Sequence, residues 1–170
     1  MTELTPNICS VKNQWLAQQV DVEYPTKESI AGRKVYLAKA QEQVCENIEP
    51  SNMADASYAL EDIYLVDFHR LTVMFALLQS QRWQDKQEQE LIVEFLTQII
   101  YSEPCQLYVG FHNGEASAAA IVTEHDNSLL ISDIVVKPDN SDDEKRLFAA
   151  SVLAKLNTDF SSYNAVYLEM

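Results

Sequence analysis

The sequence predicts a mixed α/β fold of the α+β kind. A helical N-terminal half packs on a mixed sheet that contains an antiparallel meander and one right-handed crossover. Three observations predict it. Apolar residues recur at helical spacing before Pro104. After Pro104 the period changes to two, around the turn dipeptide Asn113-Gly114. The chain then runs strand, one helix, strand, an order that implies a right-handed parallel crossover.

Residues 1–25 read as irregular, with a short helix around Trp15-Leu16 and a stop at Pro25. Thr26 is placed to cap a helix running to about Ile48, with Glu28 in its first turn and Ile30, Leu37, Val44 and Ile48 spaced for one face. Pro50-Ser51-Asn52 ends it. A second helix is expected from Ala54 to Gln79. It is apolar on nearly every side, so it is buried or packs on a partner. Asp85 and Glu88 form a capping box for a third helix, to about Tyr101. Residues 1–52 are therefore read as an N-terminal helical extension and 53–170 as the α/β domain, together one compact unit.

The sheet starts beyond Pro104. Leu107, Val109 and Phe111 alternate with Tyr108, Gly110 and His112, and Asn113-Gly114 turns the chain because both residues tolerate positive φ. The return strand spans Ala116 to Thr123, and a second turn lies at His125-Asp126-Asn127. Leu129 to Val136 is almost continuously apolar, the mark of a central strand covered on both faces. Pro138 stops it, a helix follows from Asp142 to Asn157, and Ala165 to Glu169 is the last strand.

Composition excludes several function classes. Apolar residues make up 47% of the 170, which excludes disorder. Twenty-six acidic against 12 basic side chains leave a net charge of −14, a field that repels phosphate backbones and anionic lipid head groups. The longest basic cluster, Arg33-Lys34 with Lys27 and Lys39 nearby, is a solvated helix face. Neither nucleic acid nor membrane is expected as a partner. Ile63 to Leu78, the longest apolar segment, is too short and too charged to span a bilayer. Three separated cysteines with no CxxC pair, and an N-terminus without a basic start or apolar run, imply a reduced, cytoplasmic protein. Cys105 reads as a buried small hydrophobe.

The order of these elements resembles the GNAT acyl-CoA N-acyltransferase superfamily, over roughly residues 60–170. Phe95-Leu96…Ile99-Ile100…Leu107 to Glu115 is similar to that family's second helix, first hairpin strand and hairpin turn. Leu130 to Pro138 is similar to the strand that leads into its cofactor loop. The resemblance implies acetyl-CoA bound in parts: the pantetheine arm along the backbone at Ile134 and Val136, and the pyrophosphate on loop amides from Ser141 onward, at a helix N-terminus. The family's loop carries an Arg/Gln-x-x-Gly-x-Gly/Ala pattern. Here Ser141 stands at the arginine position, and Glu144 and Arg146 stand at the glycine positions. Side chains then crowd the amides. Asp139, Asp142, Asp143 and Glu144 add negative charge, each pair at ~6 Å worth about 0.7 kcal/mol of repulsion in water and several-fold more in a partly screened cleft. Ser141 and Glu144 also form a capping box that satisfies the helix end internally, with Lys145 and Arg146 expected to pair with the neighbouring acids. The resemblance further implies a helix and a strand hairpin beyond Met170, so the chain reads as a truncated member with a degenerate cofactor loop.

The catalytic candidate is Asp133, a carboxylate interrupting an apolar strand where a general base faces an acceptor amine; the plainer reading is a hydrogen-bonded polar position. His69 and Asp62, seven residues apart, fall on one helix side and read as a core or interface pair. His112 and His125 flank turns and are expected to be exposed. No spacing supports a metal, Asp139 to Glu144 lacks the glycine and the terminal glutamate of a calcium loop, and Ser141 and Ser151 have no histidine at triad spacing. The expectation is a GNAT-like protein that has lost or weakened acyl-CoA-dependent catalysis, with no cofactor, serving as a binding or regulatory module through a homodimer or a protein partner. One alternative is an active N-acetyltransferase on a small cationic amine or a protein amine, with acetyl-CoA as cofactor. The other is an unrelated α+β protein-interaction domain.

Overall fold

The computed structural model describes residues 6–53, 56–156 and 158–170. The expected helix boundaries at Ala54 and Asn157, and the extreme N-terminus, lie outside these residues. Among the described residues the fold is mixed α/β, with five α-helices and a six-stranded mixed sheet.

Helices α1 (Asn7–Gln18) and α2 (Lys27–Ala40) open the chain. The α2 start is capped as expected, Thr26 Oγ1 accepting from Ser29 N–H at 3.0 Å. The helix ends at Ala40 and does not reach Ile48. Strand β1 (Cys45–Ile48) follows and pairs antiparallel with the C-terminal strand. Val44 and Ile48 do share a helical spacing, but the free edge of the last strand offers backbone partners that a helix would forgo. The expected Ala54–Gln79 helix is likewise divided. A 3₁₀ turn at Leu60–Asp62 leads into strand β2 (Ile63–Leu65), and α3 covers only His69–Ser80. Asp62 and His69 therefore sit on different elements, and the two-turn spacing expected of them does not exist. Helix α4 (Lys86–Leu96) is capped by Asp85, which accepts from Glu88 N–H at 3.0 Å, and stops short of Tyr101.

The meander is β3 (Cys105–His112), β4 (Glu115–His125) and β5 (Ser128–Val136). Each hairpin turn holds two residues at positive φ: Asn113 with Gly114, and Asp126 with Asn127. Helix α5 (Asp142–Leu156) then crosses to β6 (Ala165–Glu169), which lies parallel to β5. The strand order is β1-β6-β5-β4-β3-β2.

The sheet separates two cores. Helices α1 to α4 cover one face with Trp15, Leu16, Phe75, Ile92 and Phe95 against Val109, Ala119, Ile121 and Val135. Helix α5 covers the other with Phe148, Val152 and Leu153 against Ile131, Ile134, Val136 and Leu168. Fully burying a side chain such as Phe75 or Phe148 contributes ~1.5–3 kcal/mol, so both faces hold the sheet.

Candidate functional site

The site is set by where β5 and β6 part. They pair from Ser128↔Ala165 to Ile131↔Leu168 and no further. Beyond Ile131, β5 pairs only with β4, and that register slips: Ala119 faces Val135 while Ile121 faces Ser132. One extra residue on β5 makes a bulge, and within it Asp133 takes φ 52°, a left-handed backbone that a non-glycine residue holds only when its surroundings compensate.

The compensation is a buried ionic cluster. Lys12, from α1, reaches into the parting of the strands and places Nζ 3.0 Å from Asp133 Oδ2 and 2.8 Å from Glu169 Oε1. Arg82, just after α3, lies 2.9 Å from Asp133 Oδ1. Tyr36 of α2 donates to the same oxygen at 2.7 Å and accepts from Lys12 at 2.8 Å. Ser132 Oγ donates to Oδ2 at 2.7 Å, and Gln79 donates to the Asp133 backbone carbonyl. Two cations face two carboxylates, so the cluster is neutral overall, and Lys12 is only 1% exposed. Burial pushes the Asp133 carboxyl up, but Lys12 and Arg82, then the hydrogen bonds from Ser132 and Tyr36, hold it well below the carboxylate range. Burial opposes the charge on Lys12, yet Asp133, Tyr36 and Glu169 keep its ammonium well above the usual value.

Chemically, Asp133 is spoken for. Its two oxygens accept from Tyr36, Arg82, Lys12 and Ser132, which uses the roughly four lone-pair sites of a carboxylate. An ionised group so engaged is a weak proton acceptor.

The other candidate residues lie on the opposite face or at its rim. Ile134 and Val136 are buried side chains of the α5-side core, 3% and 4% exposed. Val136 N–H donates to Asn140 Oδ1 at 3.0 Å. Ser141 N–H donates to Asp139 Oδ1 at 3.0 Å, and Glu144 N–H donates to Ser141 Oγ at 3.2 Å. Three of the amides on which the resemblance would seat a pantetheine arm and a diphosphate, those of Val136, Ser141 and Glu144, thus already have side-chain acceptors. The parting of the strands, in turn, holds Lys12. These residues do not fit acyl-CoA without displacing their own partners.

Arg146 pairs with Glu46 of β1 at 2.8 Å, not with the adjacent acids. Lys145 is lowered by burial and by the like charges of Arg82 and, less, Lys39, with Asp142 opposing. His112 stacks on Tyr58 with ring centroids 3.8 Å apart, and His69 is exposed. Cys105 is buried beside Thr123, and burial pushes its thiol up to about 11. Among the described residues no cluster of His, Cys, Asp and Glu could hold a metal, and no helix is long and apolar enough to cross a membrane.

No protein-family model and no curated protein matches the chain. Among solved structures, the fold is similar to a GCN5-related N-acetyltransferase from Kribbella flavida, with a TM-score of 0.49 and 8% identity. The match covers 79% of this chain and 53% of that one, so the chain spans about half the length of that structure.

Sequence reasoning found Asp133 but missed Lys12, Tyr36, Arg82 and Glu169. One signal was available. Ile8, Cys9, Lys12, Trp15 and Leu16 form a helical stripe of buried residues, in which a lysine stands at a core position.

Proposed function

We propose that this chain is a GNAT-like protein in which acyl-CoA-dependent catalysis is lost or greatly weakened, and that it serves as a binding or regulatory module. The observation that carries the reading is Lys12. It fills the gap where β5 parts from β6, beside the stretch of β5 along which the resemblance lays the pantetheine arm, and it is held there by Asp133 and Glu169. The loop amides taken by Asn140, Asp139 and Ser141 support the same conclusion. The partner in this reading is a second copy or another protein. In support, Tyr64, Leu65 and Phe68 are 49%, 39% and 52% exposed at edge strand β2, whose outer backbone groups are open to pairing.

A second reading, an N-acyltransferase that grips its cofactor by side-chain cations, has one observation in its favour: Lys145 is lowered by burial and then by the nearby like charges of Arg82 and Lys39, so the three cations lie close together. Isothermal titration of the full chain with acetyl-CoA separates the two. The first expects no heat at millimolar ligand. Micromolar binding that is lost in Lys145→Ala would overturn it and establish the second.

A further inference from the structure

We propose that Cys9 and Cys45 form a reversible intramolecular disulfide, a modification site that fastens α1 to the edge of the sheet. Cys9 is 1% exposed, on the α1 face that carries Ile8 and Lys12. Cys45 opens β1, is partly exposed, and packs against the cluster of Ile8, Cys9 and Leu130. The strand register brings the two together by a second route. Cys45 is the cross-strand partner of Glu169, and Glu169 holds Lys12, one helical turn beyond Cys9, at 2.8 Å. Both thiols therefore surround one carboxylate. Cys105 of β3, the remaining cysteine, is buried against Thr123 of β4 and does not compete.

The local chemistry assigns different roles to the two sulfurs. The Cys45 thiol is lowered, chiefly by the neighbouring Cys9 thiol; burial and Glu169 oppose this and Lys12 adds to it. Cys9 is raised by the same contact, by burial and by Glu169. The partly exposed, more acidic Cys45 is the attacking group and the buried Cys9 resolves. With a low-molecular-weight disulfide such as oxidised glutathione as oxidant, the Cys45 thiolate attacks one sulfur of its S–S bond. One glutathione thiolate is expelled, and a mixed disulfide remains on Cys45. Cys9 then loses its proton and attacks the Cys45 sulfur, expelling the second glutathione thiolate. Two protein thiols become one disulfide, two electrons pass to glutathione, and both protons end on glutathione thiols. The product ties α1, and with it Lys12, to β1. This inference stands whether or not the site binds acyl-CoA.

The test incubates the full chain with oxidised glutathione, quenches with an alkylating agent, and maps peptides without reduction. The expected result is a Cys9–Cys45 cross-linked peptide and an intact mass lower by about 2 Da, with Cys105 alkylated only after denaturation. Tm should rise by roughly 5–10 °C, reversed by dithiothreitol. Cys45→Ser should give neither cross-link nor shift, and Cys9→Ser should stop at a glutathione adduct on Cys45, heavier by about 305 Da. A wild-type chain that stays reduced, that keeps the adduct on Cys45, or that links to a second chain through Cys45 overturns the proposal.

Discussion

Two opposite charges buried side by side stabilise a fold less than their geometry suggests, because each has lost its water. Removing one of them is costly, because the other is left buried and unpaired. Lys12 is in that position twice over, facing Asp133 and Glu169. Lys12→Met keeps most of the stem's volume and deletes the charge, and should lower stability by about 3–5 kcal/mol in urea unfolding at neutral pH. A loss below about 1 kcal/mol would mean that water or Arg82 replaces it. Acid should reveal the same cluster from the other side. The folded-state pKa of Asp133 lies below its value of 3.8 outside the fold. Its contribution is therefore complete above that value and is lost as pH falls through the folded pKa. Asp133→Asn should be less stable than wild type at neutral pH and show less of the further loss below about pH 4. Parallel pH profiles for the two proteins would count against this assignment.

Helices α2 and α4 approach so closely that only Gly32 fits between them: a Cβ there would run into the Leu91 carbonyl oxygen and meet Phe95 Cβ at 2.7 Å. The first obstacle is backbone, which cannot swing aside. Gly32→Ala should cost about 1–3 kcal/mol or more, read as a fall in the urea midpoint with an unchanged slope. An unchanged midpoint would show that the helices separate freely. Elements of this kind differ in how far the sequence reveals them. Asn113-Gly114 and Asp126-Asn127 announce their hairpins because positive φ is written in the residue types, and Thr26 and Asp85 announce helix starts because their oxygens have a local amide to accept from. Strands β1 and β2, four and three residues long, exist because distant edges at β6 and β3 have free backbone groups, and no local pattern carries that information. The candidate site divides the same way. Asp133 stood out as a charge in an apolar strand, whereas its partners Tyr36 and Arg82 lie 97 and 51 residues away in sequence.

Across the whole molecule, the charge of −14 is spread over a surface whose cations are outnumbered roughly two to one. Compaction brings these carboxylates together, so the folded state carries more self-repulsion than the expanded one. Salt screens exposed charges over a Debye length that shrinks from about 30 Å at 0.01 M to about 8 Å at 0.15 M. Raising NaCl from about 0.01 to 0.5 M should therefore raise Tm by several degrees, with most of the gain below about 0.2 M. The buried cluster should not follow, because Lys12 and Asp133 are sealed from counterions at 1% and 2% side-chain exposure. The stability gap between wild type and Lys12→Met should then be the same at both ends of the salt series. A Tm that stays flat or falls would show that the carboxylates are already neutralised by local pairing. A gap that closes with salt would place Lys12 in contact with solvent, and the slot between β5 and β6 would be open to a ligand after all.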